Sequence, residues 1–249
     1  MADAPLAHSE AVTAEAATNM RRRVLVEVEP HRWALSWWAR LYRRLAKRWT
    51  VSSHVRNFCR PLTVEGDENL EGINSPMLVI ANHTSHFDTV IVLDALPQWI
   101  YERTAVVAAA DRMYRSRFKG MWNSLRYNSY PITRGGGRRA LAYSQWLLHH
   151  GWSLLIFPEG QRSRTGELMP HHGGPAILAL SQNVPVLPMY IQGAINILPA
   201  GTRRSQPSPV HVRIGPLLRI AQGTSIADAK RMMEDAMRHL ANGDQAKAA

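Results

Sequence analysis

At 249 residues and 28.0 kDa the chain suits one large α/β domain with a sizeable buried core better than two small domains. Thirty Lys and Arg against nineteen Asp and Glu leave a net charge of +11 at pH 7, which implies an anionic partner: nucleic acid, anionic lipid or a phosphorylated small molecule. The single cysteine, Cys59, excludes an intramolecular disulfide and reads as a buried, inert thiol.

Along the chain, residues 1–30 read as a disordered lead. Of these, residues 1–19 are Ala-rich and carry Asp3, Glu10 and Glu15 where a secretory signal would carry bases and an apolar run. Residues 31–60 read as a basic amphipathic helical segment. Residues 21–60 hold eleven Lys and Arg against Glu27 and Glu29, so nine of the eleven net charges sit there. Over 32–49, at ~100° per residue, Trp37, Leu41, Leu45, Trp38, Trp49 and Tyr42 fall on one arc, with most of the bases facing the other way. A basic helix with a Trp-rich apolar face suits a membrane interface, where indoles sit at headgroup level and Arg meets lipid phosphate. The expected partner is an anionic membrane surface, on the cytoplasmic face, with the protein peripheral or monotopic. A surface helix packed onto a domain by its apolar stripe shows the same periodicity.

Residues 61–241 alternate strand-like and helix-like runs, the mark of an α/β fold. Strands are expected at 62–65, 77–81, 105–109, 153–157, 186–191 and 210–214, and helices at 89–96, 112–122, 138–149, 175–182 and 225–240. The fold class is therefore a single domain with a mixed, largely parallel sheet flanked by helices, preceded by the basic amphipathic helix. Residues 242–249 read as a frayed tail. The longest run free of Asp, Glu, Lys and Arg, 168–202, is broken by five prolines and cannot be a spanning helix.

Residues 81–88 read Ala-Asn-His-Thr-Ser-His-Phe-Asp between an expected strand and an expected helix, where α/β folds carry reactive groups. His83 and Asp88 are five residues apart, which on a continuous helix would turn them well away from each other. His83 is therefore expected on the loop and Asp88 at the helix start, folded back towards it. The carboxylate can then hold one imidazole nitrogen and leave the other as a general base for an incoming hydroxyl. Read blandly, Asp88 is an N-cap and His83 a loop histidine.

Three more segments follow in order: Tyr130-Pro131-Ile132-Thr133-Arg134, Ile156-Phe157-Pro158-Glu159-Gly160-Gln161-Arg162-Ser163, and Val184-Pro185-Val186-Leu187-Pro188. With Asn-His-x4-Asp they resemble the four sequence blocks of the glycerolipid acyltransferases, best known from lysophosphatidic acid acyltransferase. The resemblance runs from about Leu62 to Gly215. It implies transfer of a fatty acyl group from acyl-CoA or acyl carrier protein to a lysophospholipid hydroxyl in phospholipid biosynthesis, without a covalent acyl-enzyme and with no cofactor beyond the acyl co-substrate. It further implies His83 as base, Asp88 as its orienter, and Arg134, Glu159, Gly160, Arg162 and Ser163 as acceptor-binding residues. A guanidinium suits phosphate oxygens independently of any family. Arg162 beside Glu159 also reads as an ion pair in which Glu159 orients the arginine. Two departures stand out. Gln161 replaces the threonine usual in the third block, and residues 108–114 hold Arg112 but no lysine where phosphatidic-acid-forming members usually present one.

The remaining features carry less. Gly135-Gly136-Gly137 lacks the Gly-Lys-Ser/Thr ending of a nucleotide loop, and His149-His150 and His171-His172 read as solvated loop histidines rather than metal ligands. No metal is expected. A basic nucleic-acid-binding protein leaves the four ordered blocks unexplained, a non-enzymatic lipid-binding module needs neither His83 nor Asp88, and a hydrolase would put water in the acceptor's place. An acyltransferase on a different lipid acceptor is the nearest alternative, and no nucleic-acid partner is expected.

Overall fold

The computed structural model describes residues 30–73, 76–133, 136–198, 202 and 204–243, the side chain of Arg138 excepted. The expected lead up to residue 29, the tail beyond Gly243 and the candidate Arg134 lie outside them. A 3-10 turn, Arg32–Leu35, leads into helices α1 (Trp37–Thr50) and α2 (Ser52–Phe58). Next come β1 (Cys59–Glu65), β2 (Leu78–Ala81), α3 (Asp88–Ala95), a one-turn α4 (Gln98–Tyr101) and β3 (Thr104–Ala109). The middle of the chain forms α5 (Ala110–Met113), α6 (Arg117–Tyr127), β4 (Ser129–Ile132), α7 (Gly137–Ala140), α8 (Ala142–His149) and β5 (Ser153–Ile156). It closes with α9 (Gly174–Gln182), β6 (Val186–Gln192), β7 (Ser208–Ile214) and α10 (Ile226–Asn242).

The seven strands form one sheet in the order β1-β7-β6-β2-β5-β3-β4, parallel throughout except for the antiparallel β6–β7 pair. This is the mixed, largely parallel sheet expected of the apolar runs. β2 and β5 are buried at every residue, as strands covered on both faces must be. Alternation divides them: Val79 and Ala81 join a core with α2 and α3, while Leu78 and Ile80 join a second core with α8, α9 and α10. After β2 the chain crosses by α3 towards β3; after β5 it crosses by α9 the other way, to β6. Adjacent strands whose connections leave in opposite directions open a crevice at their carboxyl ends, where open α/β sheets bind ligands.

Three elements differ from the sequence expectation. The helix expected over 112–122 is two helices, because Tyr114 leaves helical geometry and turns inward. Its hydroxyl lies 3.0 Å from Ser124 Oγ and 2.9 Å from Ser129 Oγ. Gly120 makes room for the ring, since a Cβ there would lie 2.6 Å from it. The helix expected over 138–149 breaks at Leu141. Residues 129–132, assigned to no element, form edge strand β4, where Pro131 is tolerated because only β3 pairs with it.

α1 sits against the domain by its small, basic side rather than by its apolar arc, unlike a surface helix packed by its apolar stripe. Its buried residues are Ala39, Arg43 and Ala46, whereas Trp37, Leu45 and Trp49 are 74, 63 and 71 % exposed. The apolar stripe faces outwards, and cations make the inward contacts. Arg43 donates to the Ala34 carbonyl (2.7 Å), and Lys47 donates to the Leu96 carbonyl (3.1 Å) with its ammonium 4.6 Å from the centre of the Tyr101 ring. Burial lowers the Arg43 guanidinium to about 10, still a cation at neutral pH. No helix among the described residues is long and apolar enough to cross a membrane.

Candidate active site

The crevice between β2 and β5 gathers the first and third sequence segments. His83 lies two residues past β2, and Asp88 is the first residue of α3, fully buried. Asp88 Oδ2 accepts from three donors: His83 Nδ1 at 2.9 Å, Thr84 N at 2.6 Å and Ser85 N at 2.7 Å. The carboxylate thus folds back over the turn that precedes its own helix, which differs from a simple N-cap. With Nδ1 committed, the Nε2 side of the ring has no hydrogen-bond partner among the described residues, and the side chain remains 22 % exposed. Asn82 anchors the segment from behind, its amide exchanging two hydrogen bonds with the Ile191 backbone on β6 (2.9 and 2.7 Å).

The loop after β5 holds His83 by three further contacts. Phe157 stacks on the imidazole with ring centroids 4.2 Å apart, Glu159 Oε1 accepts from the His83 backbone N–H at 3.3 Å, and Ser163 N donates to the His83 carbonyl at 2.7 Å. Glu159 and Ser163 are both buried, and the Ser163 hydroxyl accepts from Gly166 N at 3.1 Å. An ion pair of Glu159 with Arg162 is absent among the described residues. Glu159 faces the His83 backbone instead. Its Oε2, like Asp88 Oδ1, is buried without a hydrogen-bond partner. Burial pushes the Glu159 carboxyl up to about 7; the neighbouring Asp88 adds to the shift, while the backbone donors of His83 and Met169 oppose it.

Gly160 has φ +68°, and a Cβ there would lie 2.7 Å from the His172 ring, so this turn needs glycine twice over. His171 corrects the expectation of a solvated histidine: it is buried, and burial lowers its imidazole to about 4. Its backbone N–H donates to Glu234 Oε1 on α10 at 2.9 Å, tying the loop to the C-terminal helix. At the mouth, Arg162 is half-buried and Arg112 exposed. Burial lowers the His86 imidazole from its ordinary value, and the charges of Arg162 and Arg112 push it the same way. Both arginines are therefore within electrostatic reach of His86. Asn82, His86 and Phe157 carried no role in the sequence reading. All three lie inside the quoted segments, but only their partners on other elements give them one.

No group of three or more His, Cys, Asp or Glu side chains that could hold a metal occurs among the described residues. The arrangement presents an imidazole with one nitrogen held by a buried carboxylate and the other open, below a mouth with two guanidinium groups. Such a site can remove a proton from a bound hydroxyl next to an anionic group.

A family profile described as Acyltransferase matches residues 61–192. The chain is 27 % identical over 157 residues to the 1-acyl-sn-glycerol-3-phosphate acyltransferase of Cocos nucifera, covering 61 % of this chain and 48 % of that protein. It is 31 % identical over 153 residues to the lyso-ornithine lipid O-acyltransferase of Pseudomonas aeruginosa, covering 61 % and 54 %. It thus spans about half the length of the curated relatives it matches. The crystal structure of the 1-acyl-sn-glycerophosphate (LPA) acyltransferase from Thermotoga maritima superposes with a TM-score of 0.61 at 23 % identity, covering 84 % of this chain and 80 % of that one, and so shares the fold.

The buried Glu159 makes stability depend on pH. Its folded pKa, about 7, lies above the ordinary 4.5, so the stabilisation from keeping its proton is fully present below about 4.5 and is lost as pH rises through about 7. Replacing it as Glu159→Gln removes that titration. Thermal melts across this range should show the parent's advantage over the variant shrinking as pH rises. Parallel melting curves at every pH would mean that Glu159 does not carry this linkage.

Proposed function

The chain belongs to the acyltransferase family, and from that premise we propose that it moves a fatty acyl group from a thioester donor, acyl-CoA or acyl carrier protein, to a hydroxyl of a lysophospholipid such as 1-acyl-glycerol-3-phosphate. The observation that carries the reading is the 2.9 Å contact of His83 Nδ1 with the buried Asp88 carboxylate, which leaves Nε2 without a partner among the described residues on a side chain 22 % exposed. Nε2 takes the acceptor's hydroxyl proton as that oxygen attacks the thioester carbonyl. The new C–O bond forms, the C–S bond breaks, and the departing thiolate takes the proton back from the imidazolium. Asp88 keeps the imidazole in the required tautomer and offsets the charge it acquires. Glu159, Gly160 and Ser163 hold the His83 loop in position. Arg162, with Arg134 in the same role, binds the acceptor's phosphate, and Arg112 takes the part of the lysine that the family resemblance implies for residues 108–114.

Incubation with a labelled acyl thioester and a panel of lyso-lipids tests the assignment. A lyso-lipid other than a phosphate monoester is the second reading, favoured by the absence of lysine in 108–114 and by the likeness to the lyso-ornithine lipid enzyme. The same panel separates the two.

His83→Ala should lower turnover by ~10²–10⁴-fold in a protein that still folds, although it melts lower for loss of one of the three donors to buried Asp88, and Asp88→Asn should be nearly as damaging. Near-normal turnover in a well-folded His83→Ala protein would sink the mechanism. Arg162→Ala should raise the KM for a phosphate-bearing acceptor by roughly 10–150-fold, the equivalent of one charge-assisted hydrogen bond, and change donor binding little. Equal losses for charged and neutral acceptors would remove phosphate recognition from the account.

The outward apolar stripe of α1 supports peripheral docking on the anionic, cytoplasmic leaflet of a membrane, which would bring the site to a lipid acceptor. Replacing Trp37, Trp38, Leu41 and Leu45 together by serine should sharply reduce sedimentation with anionic liposomes while turnover of a short-chain soluble acceptor persists. Unchanged liposome binding would assign docking to some other surface.

A further inference from the structure

α6 repeats the inversion seen in α1. At ~100° per residue Met121, Leu125, Phe118 and Trp122 share one arc, and Gly120, Ser124 and Tyr127 lie opposite. A surface helix normally turns its large apolar arc inwards. Here the opposite side, small but for Tyr127, is the inner one. Ser124 is buried, 3.0 Å from the Tyr114 hydroxyl and donating to the Ser129 carbonyl, and Gly120 lies against the Tyr114 ring. Phe118, Met121 and Trp122 are 69, 44 and 45 % exposed.

The two inverted helices are neighbours. Arg126 of α6 donates to the Thr50 carbonyl at the end of α1 (3.3 Å), and His31, just before α1, lies 3.0 Å from Ser124. Neither helix contains an acidic residue. Exposed Arg115, Arg117 and Lys119 border the α6 arc, and Arg44 and Arg48 border that of α1. Apolar arcs bordered mainly by bases, of which Arg44 also pairs with Glu102, match an anionic leaflet, with rings below the headgroups and cations at phosphate depth. A second copy would bring the same positive field and be repelled.

We propose that α6 is a second membrane-contact element, continuous with α1, taking the acyl-chain and anionic-headgroup region of a lipid leaflet as its partner. This rests on the docking reading of α1 and extends it. One helix can hold a protein at a surface, whereas two side by side also set its tilt. α5, which links α6 to the carboxyl end of β3, carries Arg112 within electrostatic reach of the His83 loop. Because β3 runs parallel to β5 and β2, its carboxyl end lies on the same edge of the sheet as the His83 loop, so seating α6 in the leaflet would bring that edge to lipid acceptors.

The test uses the full chain with a single introduced thiol, Phe118→Cys, carrying an environment-sensitive fluorophore. Native Cys59 is buried and its thiol is pushed up to about 12, so the label goes to position 118. With vesicles of equal parts phosphatidylglycerol and phosphatidylcholine, the emission should shift to the blue. In parallel, Phe118, Met121 and Trp122 replaced together by serine should weaken vesicle binding by about ten-fold or more. Turnover of a vesicle-embedded acceptor should fall with it, and that of a soluble acceptor should hold. Unchanged emission from protein that sediments with the vesicles would overturn the proposal and leave α1 docking standing. Failure to sediment at all would remove the docking of both helices. A blue shift without vesicles that grows with protein concentration would make the occupant a second copy and overturn the lipid assignment.

Discussion

Asp88 sits at the first turn of α3 with no solvent contact, and one oxygen of its carboxylate takes three donors from the turn before it. A carboxylate removed from water costs several kcal/mol unless such donors replace its hydration. The backbone of Thr84 and Ser85 is bent to supply two of them, and the third is the imidazole of His83. The conformation that satisfies the buried acid is therefore the one that aims the histidine. The rest of the site is arranged around that turn: Asn82 ties it to β6 from behind, and Phe157, Glu159 and Ser163 hold it from the β5 side.

The same crowding accounts for Glu159. Its carboxyl is buried beside Asp88, and burial, with the neighbouring Asp88 adding to it, pushes its pKa up to about 7 against the opposing backbone donors of His83 and Met169. Keeping it neutral limits the negative charge next to Asp88, so that two acids fit within one turn of the histidine. The sheet makes this neighbourhood possible. Only where the crossovers from β2 and β5 leave in opposite directions do two loops emerge side by side with room between them.

Helices α1 and α6 follow a different rule from the rest of the molecule. Elsewhere large apolar side chains close two cores on either face of the sheet; on these helices alanine, glycine, serine, Tyr127 and two pinned cations make the inward contacts. The Arg43 and Lys47 contacts pin α1 to the domain by polar and cation–π partners, while Trp37 and Trp49 stay exposed and Trp38 stacks on Trp33.

Much of this was legible in the sequence. Strands buried on both faces appear as continuous apolar runs, so most of the element order and the largely parallel sheet could be read from hydropathy, but not edge strand β4 or the helix breaks at Tyr114 and Leu141. The five-residue spacing of His83 and Asp88 also constrains geometry within one turn of chain. Contacts across the fold could not be read. Glu159 stands three residues from Arg162, yet it faces the backbone of His83, 76 positions away. Tyr114 breaks a helix that its local sequence favours because Ser124 and Ser129 wait for its hydroxyl, and His171 looks like any loop histidine until α10 covers it. Periodicity put the tryptophans of α1 on one arc but could not say which way that arc points. Local spacing and hydropathy act through neighbours along the chain, so the sequence by itself determined most of the elements and the His83–Asp88 turn. Direction and partner depend on what the rest of the chain brings alongside, and only the tertiary structure decided those.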